Sequence, residues 1–368
     1  MTSDVDSQSR QELVPARAKK LIAAARDGDE RAFRELVEPF RARLHAHCYR
    51  MLGSLHDVED ALQETLLRAW RGLAGFEEGR SPRPWLYRIA TNVCIDLLAR
   101  RPQRVLPPDA RPPAEPSAGA GDPLADAPWL EPYPDDVLGI QAGYASPEAR
   151  YEERESVELA FIAALQHLPP NQRAVLVLRD VLGFSARETA EALDTSEASA
   201  NSALQRARKR ISERLPIRSQ QATLRALGDR KLRRLVEAYI EAWEERNIEA
   251  IVGLLAEDAN FVMPPFPNWF KGREAVADFI SSNLETPGLR HIETRANGQP
   301  AIAWYLWDAN DDRFAAAAIE VYSYAGERLT QITAFASPDL FQRFGLPAKL
   351  AAQRRRGPRS RSYMRRPP

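Results

Sequence analysis

The sequence predicts a multidomain protein: two all-α units joined by a proline-rich segment, followed by an α+β unit. Three observations predict it. Residues 21–101 and 151–215 repeat apolar side chains at helical spacing with few breakers. Between them, residues 102–150 hold eleven of the chain's 28 prolines. From about residue 229, helical segments give way to alternating runs such as HIETRANG, AIAWYLWD and FAAAAIEVYSYAGERLTQITAFAS, which have the period of strands. A length of 368 residues suits two or three domains.

Composition excludes several classes. Lys and Arg total 51 and Asp and Glu total 51, so net charge argues neither for nor against a nucleic-acid partner, and local distribution decides. The two cysteines, Cys48 and Cys94, sit inside helical patterns and read as packed thiols in a reducing compartment. Five histidines without paired spacing give no zinc site, and no cofactor is expected. The apolar run Ala301–Trp307 is far short of the ~20 residues of a membrane span. MTSDVDSQSRQELVPARAKK lacks the apolar core of a signal peptide, so the chain is expected in the cytoplasm, away from membranes.

Residues 1–20 are expected to be disordered, and 21–101 to form the first helical domain. Within it, DVEDALQETLLRAWR, Asp57 to Arg71, is amphipathic, with Val58, Leu62, Leu66 and Ala69 inward. Asp60, Gln63 and Glu64 fall at i, i+3 and i+4 on the exposed face. Two acids at that spacing repel slightly, which helix stability alone does not select, and Glu64–Arg68 offsets it only in part. A docking face for a basic partner helix is one reading, and a solvated face the other.

In GFEEGRSPRPWLYRIATNVCIDLLARR, Gly75 to Arg101, Pro82 and Pro84 suit the first turn of a helix. Ile89, Val93 and Leu97 give its inward stripe. Trp85, Tyr87, Arg88 and Asn92 are left near one another. Rings and guanidinium planes beside an amide suit unpaired bases, although Trp85 serves equally well as core. The proline density of 102–150 points to a mobile or partly extended linker.

In the second helical domain, 151–215, Ser185 followed by Glu188 is a capping box opening a short helix, Ala186 to Leu193. Asp194-Thr195-Ser196 breaks the period for one turn, and Ser196 or Thr195 caps the next helix. Two helices across such a turn make a helix-turn-helix. Leu193, Ala200, Leu204, Ala207 and Ile211 form the inward stripe. Ser199, Asn201, Ser202, Gln205 and Arg206 face out, where short polar groups reach base edges; Arg206, Arg208, Lys209 and Arg210 suit phosphates. The alternative is a plain αα-hairpin with a charged outer face.

Residues 216–228 read as a linker, and 229–347 as the α+β domain, with a hairpin turn at Tyr324–Glu327. Phe261, Met263, Trp269, Phe270, Trp304 and Trp307 are candidate lining for an apolar pocket, or simple core. His291, Asp308 and Glu320 are the strand-zone groups that could transfer a proton, and exposed strand positions account for them equally well. Residues 348–368 end in RRRGPRSRSYMRRPP, with seven arginines and no acid, an expected disordered tail.

Leu168 to Leu193 matches LP-x-x-QR-x-V-x-x-LR-x-x-x-GFS-x-x-E-x-A-x-x-L and resembles region 4 of sigma-70 family factors of the extracytoplasmic-function (ECF) group. That resemblance implies contact with the minus-thirty-five promoter element by Arg187, Ser199, Asn201, Ser202, Gln205, Arg206, Arg208 and Lys209. One departure is Asn201-Ser202-Ala203, where many members carry Lys-Ser-Arg; it moves phosphate contact toward Arg187 and the Arg206–Arg210 cluster. Asp57–Arg71 resembles region 2.2, which implies that Asp60, Gln63 and Glu64 contact the clamp helices of the polymerase β′ subunit. Gly75–Arg101 resembles regions 2.3 and 2.4, which capture the melted minus-ten element. Arg80, Arg83, Trp85, Tyr87, Arg88, Asn92, Arg100 and Arg101 are carried over to that role.

Val236–Ile280, with L-L-A-x-D-A at Leu254–Ala259 and W-x-x-G-R-E-A-V at Trp269–Val276, resembles a SnoaL-like domain, the cone-shaped α+β barrel of ketosteroid isomerases. Together these resemblances imply a non-enzymatic ECF sigma factor with core RNA polymerase (β′ and β subunits) and promoter DNA as partners. The C-terminal domain would act on the sigma domains in cis through the linker or region 2, with a small-molecule ligand left open. A one-component helix-turn-helix regulator, or an isomerase or cyclase fused to DNA-binding helices, are the rival readings.

Overall fold

A computed structural model describes residues 15–77, 79–124, 127–138, 156–283 and 288–351. The first helix, α1 (Pro15–Arg26), begins inside the stretch expected to be disordered. Ala18, Ile22 and Ala25 recur at helical spacing and bury one face against the next helix, a period the intervening lysines obscure in the sequence. Residues 1–14 lie outside the described residues.

Helix α2 (Glu30–Leu52) is capped by Asp29, whose carboxylate accepts from the Arg31 and Ala32 amides, and it ends at Gly53 with φ +69. Ser54 caps α3 (Leu55–Gly72) and Ser81 caps α4 (Pro82–Leu98), with prolines in the first turn as the sequence predicts. These helices enclose one core built on Leu36, Leu44, Met51, Leu62, Leu86 and both free cysteines.

The proline-rich segment departs from expectation. Its described residues carry no long helix or ladder, but they are not loose: Leu130 and Tyr133 are buried, and Val105 bridges Trp129. Arg104 donates to the Asp57 carboxylate (2.8 Å) and to the Trp129 carbonyl (3.1 Å). Glu131 accepts from the Leu55 amide (2.6 Å) at the N-terminus of α3, where negative charge is favoured. Prolines pre-set an extended backbone and lower the entropy lost on docking, so a few large side chains suffice to fasten the strap. Residues 139–155 lie outside the described residues.

Helices α5 (Leu159–Gln166), α6 (Pro170–Leu176), α7 (Ala186–Ala192) and α8 (Glu197–Ser212) follow, with a π turn at Val177–Val181 extending α6. The expected linker 216–228 contains a helix, α9 (Gln220–Leu227), capped by Ser219. The Glu158 carboxylate accepts from the Gln220 (3.0 Å) and Gln221 (2.6 Å) amides, so α9 is fastened to the start of the second helical unit.

The C-terminal unit packs α10 (Asp229–Glu244), α11 (Ile248–Leu254) and α12 (Arg273–Asn283) on a bent seven-stranded sheet. Its strands are β1 (Leu255–Val262), β2 (Trp269–Lys271), β3 (Leu289–Ala296), β4 (Gln299–Asp308), β5 (Arg313–Ala325), β6 (Arg328–Phe335) and β7 (Lys349–Ala351). Their order is β2-β1-β6-β5-β4-β3, with β7 on β5; only β1 and β6 run parallel. The β5–β6 turn falls where the sequence places it, at Gly326 (φ +56). A second tight turn, Asn297-Gly298, joins β3 to β4 with φ +56 and +70, which suits a type I′ hairpin. A short helix, α13 (Asp339–Arg343), precedes β7. Strand β7 lies within the expected tail, because its backbone completes the ladder with Arg313–Ala315; residues 352–368 lie outside the described residues. No helix among the described residues is long and apolar enough to cross a membrane.

Candidate nucleic-acid interface

The helix-turn-helix is built by local chemistry. Glu188 accepts from the Ser185 amide (2.8 Å) while Ser185 Oγ accepts from the Glu188 amide (3.2 Å), which starts α7. Those bonds hold the Glu188 carboxyl below its ordinary range. Asp194 adopts φ +50 in the turn, and Ser196 caps α8 by accepting from the Ser199 amide at 3.1 Å. Ala200, Leu204, Ala207 and Ile211 bury one face; Leu193 is only half-buried. Ser199, Asn201, Ser202, Gln205, Arg206, Arg208 and Lys209 are exposed together, and Arg187 on α7 is exposed and paired with Glu191 (2.9 Å).

Two supports for this face were not visible in the sequence pattern. The π turn turns Arg179 toward Asn201 (Nη1 to Oδ1, 3.3 Å) and sets the Asp180 carboxylate against the Arg208 guanidinium in a two-point pair (2.7 and 2.9 Å). An i+5 turn shifts the side chains that follow it relative to a regular helix, and helical periodicity gives no sign of it.

The surface on α4 is more fully used than the sequence suggests. Trp85 is half-buried against the Phe76 ring (centroids 4.8 Å apart), Asn92 is half-buried, and Arg88 and Arg100 are exposed. Arg80 pairs with Glu77 at 2.6 Å. Tyr87, expected with the accessible group, is 1 % exposed: its ring meets His47 and, across the units, Phe184. The stripe Ile89, Val93, Leu97 is displaced, and the fully buried side of α4 is Leu86, Tyr87, Ala90, Val93 and Cys94. The helix packs against neighbours on several sides, so more than one apolar stripe fits its sequence. Arg83 donates to the Leu182 carbonyl (2.7 Å) and lies 5.0 Å from the Phe184 ring centre. The second helical unit therefore sits directly on the α4 surface.

On α3, Asp60 and Gln63 are exposed and Glu64 is half-buried. Glu64 pairs with Arg68 (2.7 Å) and Asp60 with Arg101 (3.1 Å), while Arg101 also meets the buried Asp57. Gln63 borders a groove of about 980 Å³ between α2 and α3, lined by Phe33, Leu66 and Trp70. At its rim Glu59 pairs with Arg343 of α13, so the C-terminal unit touches this helix beside the Asp60 face.

The six aromatic and methionine residues read as candidate pocket lining are not all brought together. Trp304 and Trp307 are three apart on β4 and face opposite sides of the sheet. Trp307 packs on Phe314 (5.0 Å), whereas Trp304 enters the core with Phe261 and half-buried Met263; Phe270 stacks on Phe279 in that core. Trp269 serves the strap, donating from Nε1 to the Arg111 carbonyl at 2.9 Å. Glu320 is not an exposed strand position: it is buried, and Oε2 accepts from Tyr322 (2.6 Å), Trp304 (2.8 Å) and Tyr239 (3.4 Å). Burial nevertheless holds its carboxyl above the usual range. His291 pairs with Glu244 (3.3 Å), and Asp308 accepts from the Asn310 amide in a turn (2.9 Å). Among the described residues no group of three or more His, Cys, Asp or Glu is arranged to hold a metal ion.

Residues 36–104 match the family model for sigma-70 region 2, residues 158–211 that for sigma-70 region 4, and residues 236–332 that for the SnoaL-like domain. The chain is 42 % identical over 332 residues to the ECF RNA polymerase sigma factor SigG of Mycobacterium tuberculosis, covering 89 % of this chain and 86 % of that one. It is 32 % identical over 196 residues to SigM of the same species, covering 53 % of this chain and 83 % of SigM. The crystal structure of M. tuberculosis SigJ, an extracytoplasmic function sigma factor, superposes with a TM-score of 0.54 at 21 % identity over 84 % of this chain and 98 % of that one.

Proposed function

The chain belongs to the ECF RNA polymerase sigma factors, and on that premise we propose that it binds core RNA polymerase and directs it to a promoter, where transcription starts. Its SnoaL-like domain is read as acting on the sigma domains in cis. One observation carries this reading best: a single chain presents a helix-turn-helix with base-reaching polar groups and, on α3, an exposed Asp60–Gln63–Glu64 face. An operator-binding regulator has no use for the second.

Asp60, Gln63 and Glu64 are assigned to the β′ clamp and the exposed groups of α8, with Arg187, to the major groove at the minus-thirty-five element. Arg80, Arg83, Trp85, Arg88, Asn92, Arg100 and Arg101 are assigned to the minus-ten strand, Tyr87 joining them only once Phe184 withdraws. The C-terminal domain is assigned no reaction, since the three donors around Glu320 already converge on one carboxylate oxygen. Working with core polymerase places the protein in the cytoplasm.

The test is co-elution of the full chain with core polymerase, followed by run-off transcription on a promoter library. Co-elution and a discrete set of transcripts are expected. A chain that bound DNA sites alone and never joined core would overturn the reading in favour of an operator-binding regulator.

A further inference from the structure

Basic and acidic residues balance over the whole chain, yet between Arg206 and Arg234 eleven Lys and Arg stand against two acids, Glu213 and Asp229. The first part of this run is the end of α8. The rest, 212–235, falls between the region 4 and SnoaL-like matches and is covered by neither. Several of its cations are engaged: Arg214 faces Asp109 (3.7 Å), Arg218 donates to the Ala222 carbonyl (3.0 Å) and Lys231 pairs with Glu327 (2.5 Å). Arg230, Arg233 and Arg234 on α10 are exposed and meet no hydrogen-bond or ion-pair partner among the described residues.

These three stand at i, i+3 and i+4 and share one outward face, while Leu232, Leu235, Val236, Tyr239 and Ile240 turn inward. Helix stability alone does not select the arrangement. Like charges at that spacing repel, and Arg230 and Lys231 occupy the first turn, at the positive end of the helix dipole. The acids Glu237, Glu241 and Glu244 lie in the second half of α10, toward the negative end. A face that only met water gains nothing from that order.

The face is also held in place. Besides the two amide bonds to Glu158, the Gln220 side chain donates to the Tyr324 carbonyl (3.0 Å) and accepts from the Tyr324 amide (2.8 Å), which fixes α9 against β5. From Ser212 to Asp229 the path is a short connection, the α9 helix and Gly228, at most about 40 Å. One turn of duplex DNA is about 34 Å. The α10 face therefore stays within roughly a turn of any duplex seated on α8.

We infer that the Arg230–Arg233–Arg234 face is a second DNA contact, which grips backbone phosphates of the duplex flanking the site read by α8. Phosphate contacts add affinity and carry no sequence information, so this face strengthens the hold on a promoter without choosing it. The inference rests on the sigma-factor reading for the presence of that duplex.

The experiment measures holoenzyme binding to a promoter fragment with about three turns of flanking duplex on each side, over a range of salt. It compares the full chain with the triple variant Arg230→Gln, Arg233→Gln, Arg234→Gln. The expected slope of log K against log salt is shallower by about 2–3 in the variant, at about 0.9 per phosphate contact, with affinity lower by roughly tenfold or more at about 0.1 M salt. Promoter preference, core co-elution and the thermal melt are expected to stay as they are, and the triple lysine variant to keep the steep slope, because a point charge suffices. An unchanged slope and affinity overturn the contact and leave the sigma reading in place. Weakened core co-elution with an unchanged slope also overturns it, and gives the face to an acidic surface of polymerase. Should the unaltered chain never join core, the sigma reading falls, and the same comparison on the free chain and the same duplex decides the contact: a shallower slope supports it and an unchanged one overturns it. Should the triple variant lose its cooperative melt, Arg233→Gln with Arg234→Gln decides by the same measure.

Discussion

Arg101 Nη2 stands 3.1 Å from Asp60 Oδ2, so a residue proposed to meet promoter phosphate and one proposed to meet polymerase neutralise each other. Asp60 is also within 4.0 Å of His56. Arg101 also pairs with the buried Asp57, so two carboxylates of α3 hold its guanidinium.

Replacing Asp60 and Glu64 by lysine is expected to lower core affinity at least 100-fold. Both side chains are over two-fifths exposed, and exposed ion pairs contribute only about 0–1 kcal/mol each, so the fold survives. Pull-down with core polymerase beside a circular-dichroism melt separates the two effects; undiminished holoenzyme removes these residues from the interface.

Asn201→Ala with Gln205→Ala is expected to leave core binding intact while relaxing promoter choice by about 10–100-fold at the bases they read, from about 1–3 kcal/mol per lost contact. Arg179→Ala, which releases Asn201 Oδ1, gives a weaker change in the same positions. Sequencing transcripts from a randomised minus-thirty-five library reads both. An unaltered preference means that α8 lies in the groove on a different face.

Acid is expected to destabilise the first helical unit through two histidines. Burial lowers His45 to about 4 and His47 to about 3, against 6.5 in the unfolded chain. Below pH 6.5 the unfolded chain takes up protons that the native state refuses, so stability falls as pH drops toward 4, by up to about 1.4 kcal/mol per pH unit for each ring. His47 is held by Thr91 (2.9 Å) and His45 by Tyr133 (2.7 Å). Urea midpoints from pH 7 to 5 should fall less steeply in the double variant His45→Gln, His47→Gln; parallel slopes would discard the assignment.

Glu320→Gln is expected to be better tolerated at pH 8 than at pH 5. The native carboxyl titrates above its unfolded value, so stability present at low pH is lost as pH rises from about 4.5 through the native value. A neutral amide does not suffer that loss. Calorimetry on the two proteins tests it, and a gap between their melting temperatures that stays constant with pH would rule it out.

Much of this was legible in the chain. The capping pair Ser185–Glu188 and the break at Asp194–Ser196, which place the helix-turn-helix, and the prolines that open α4 are local chemistry, decided within four residues. The exposed face of α8 followed from period alone. The Asn297-Gly298 dipeptide is a strong hairpin signal, although nothing local marks its tip as buried.

The sequence by itself determined the three units, their order, the family and the polar faces of α3 and α8, because periodicity and caps act over a turn or two. Only the tertiary structure decided that the proline-rich strap is docked, that Tyr87 is covered by Phe184, that Trp304 and Trp307 part company, and that Asn297 meets Tyr49 across nearly 250 positions. Those are contacts between surfaces that each look exposed or core-like alone. Which surface covers which depends on shape and on hydrogen-bond partners distant in the chain, and no local pattern encodes that pairing.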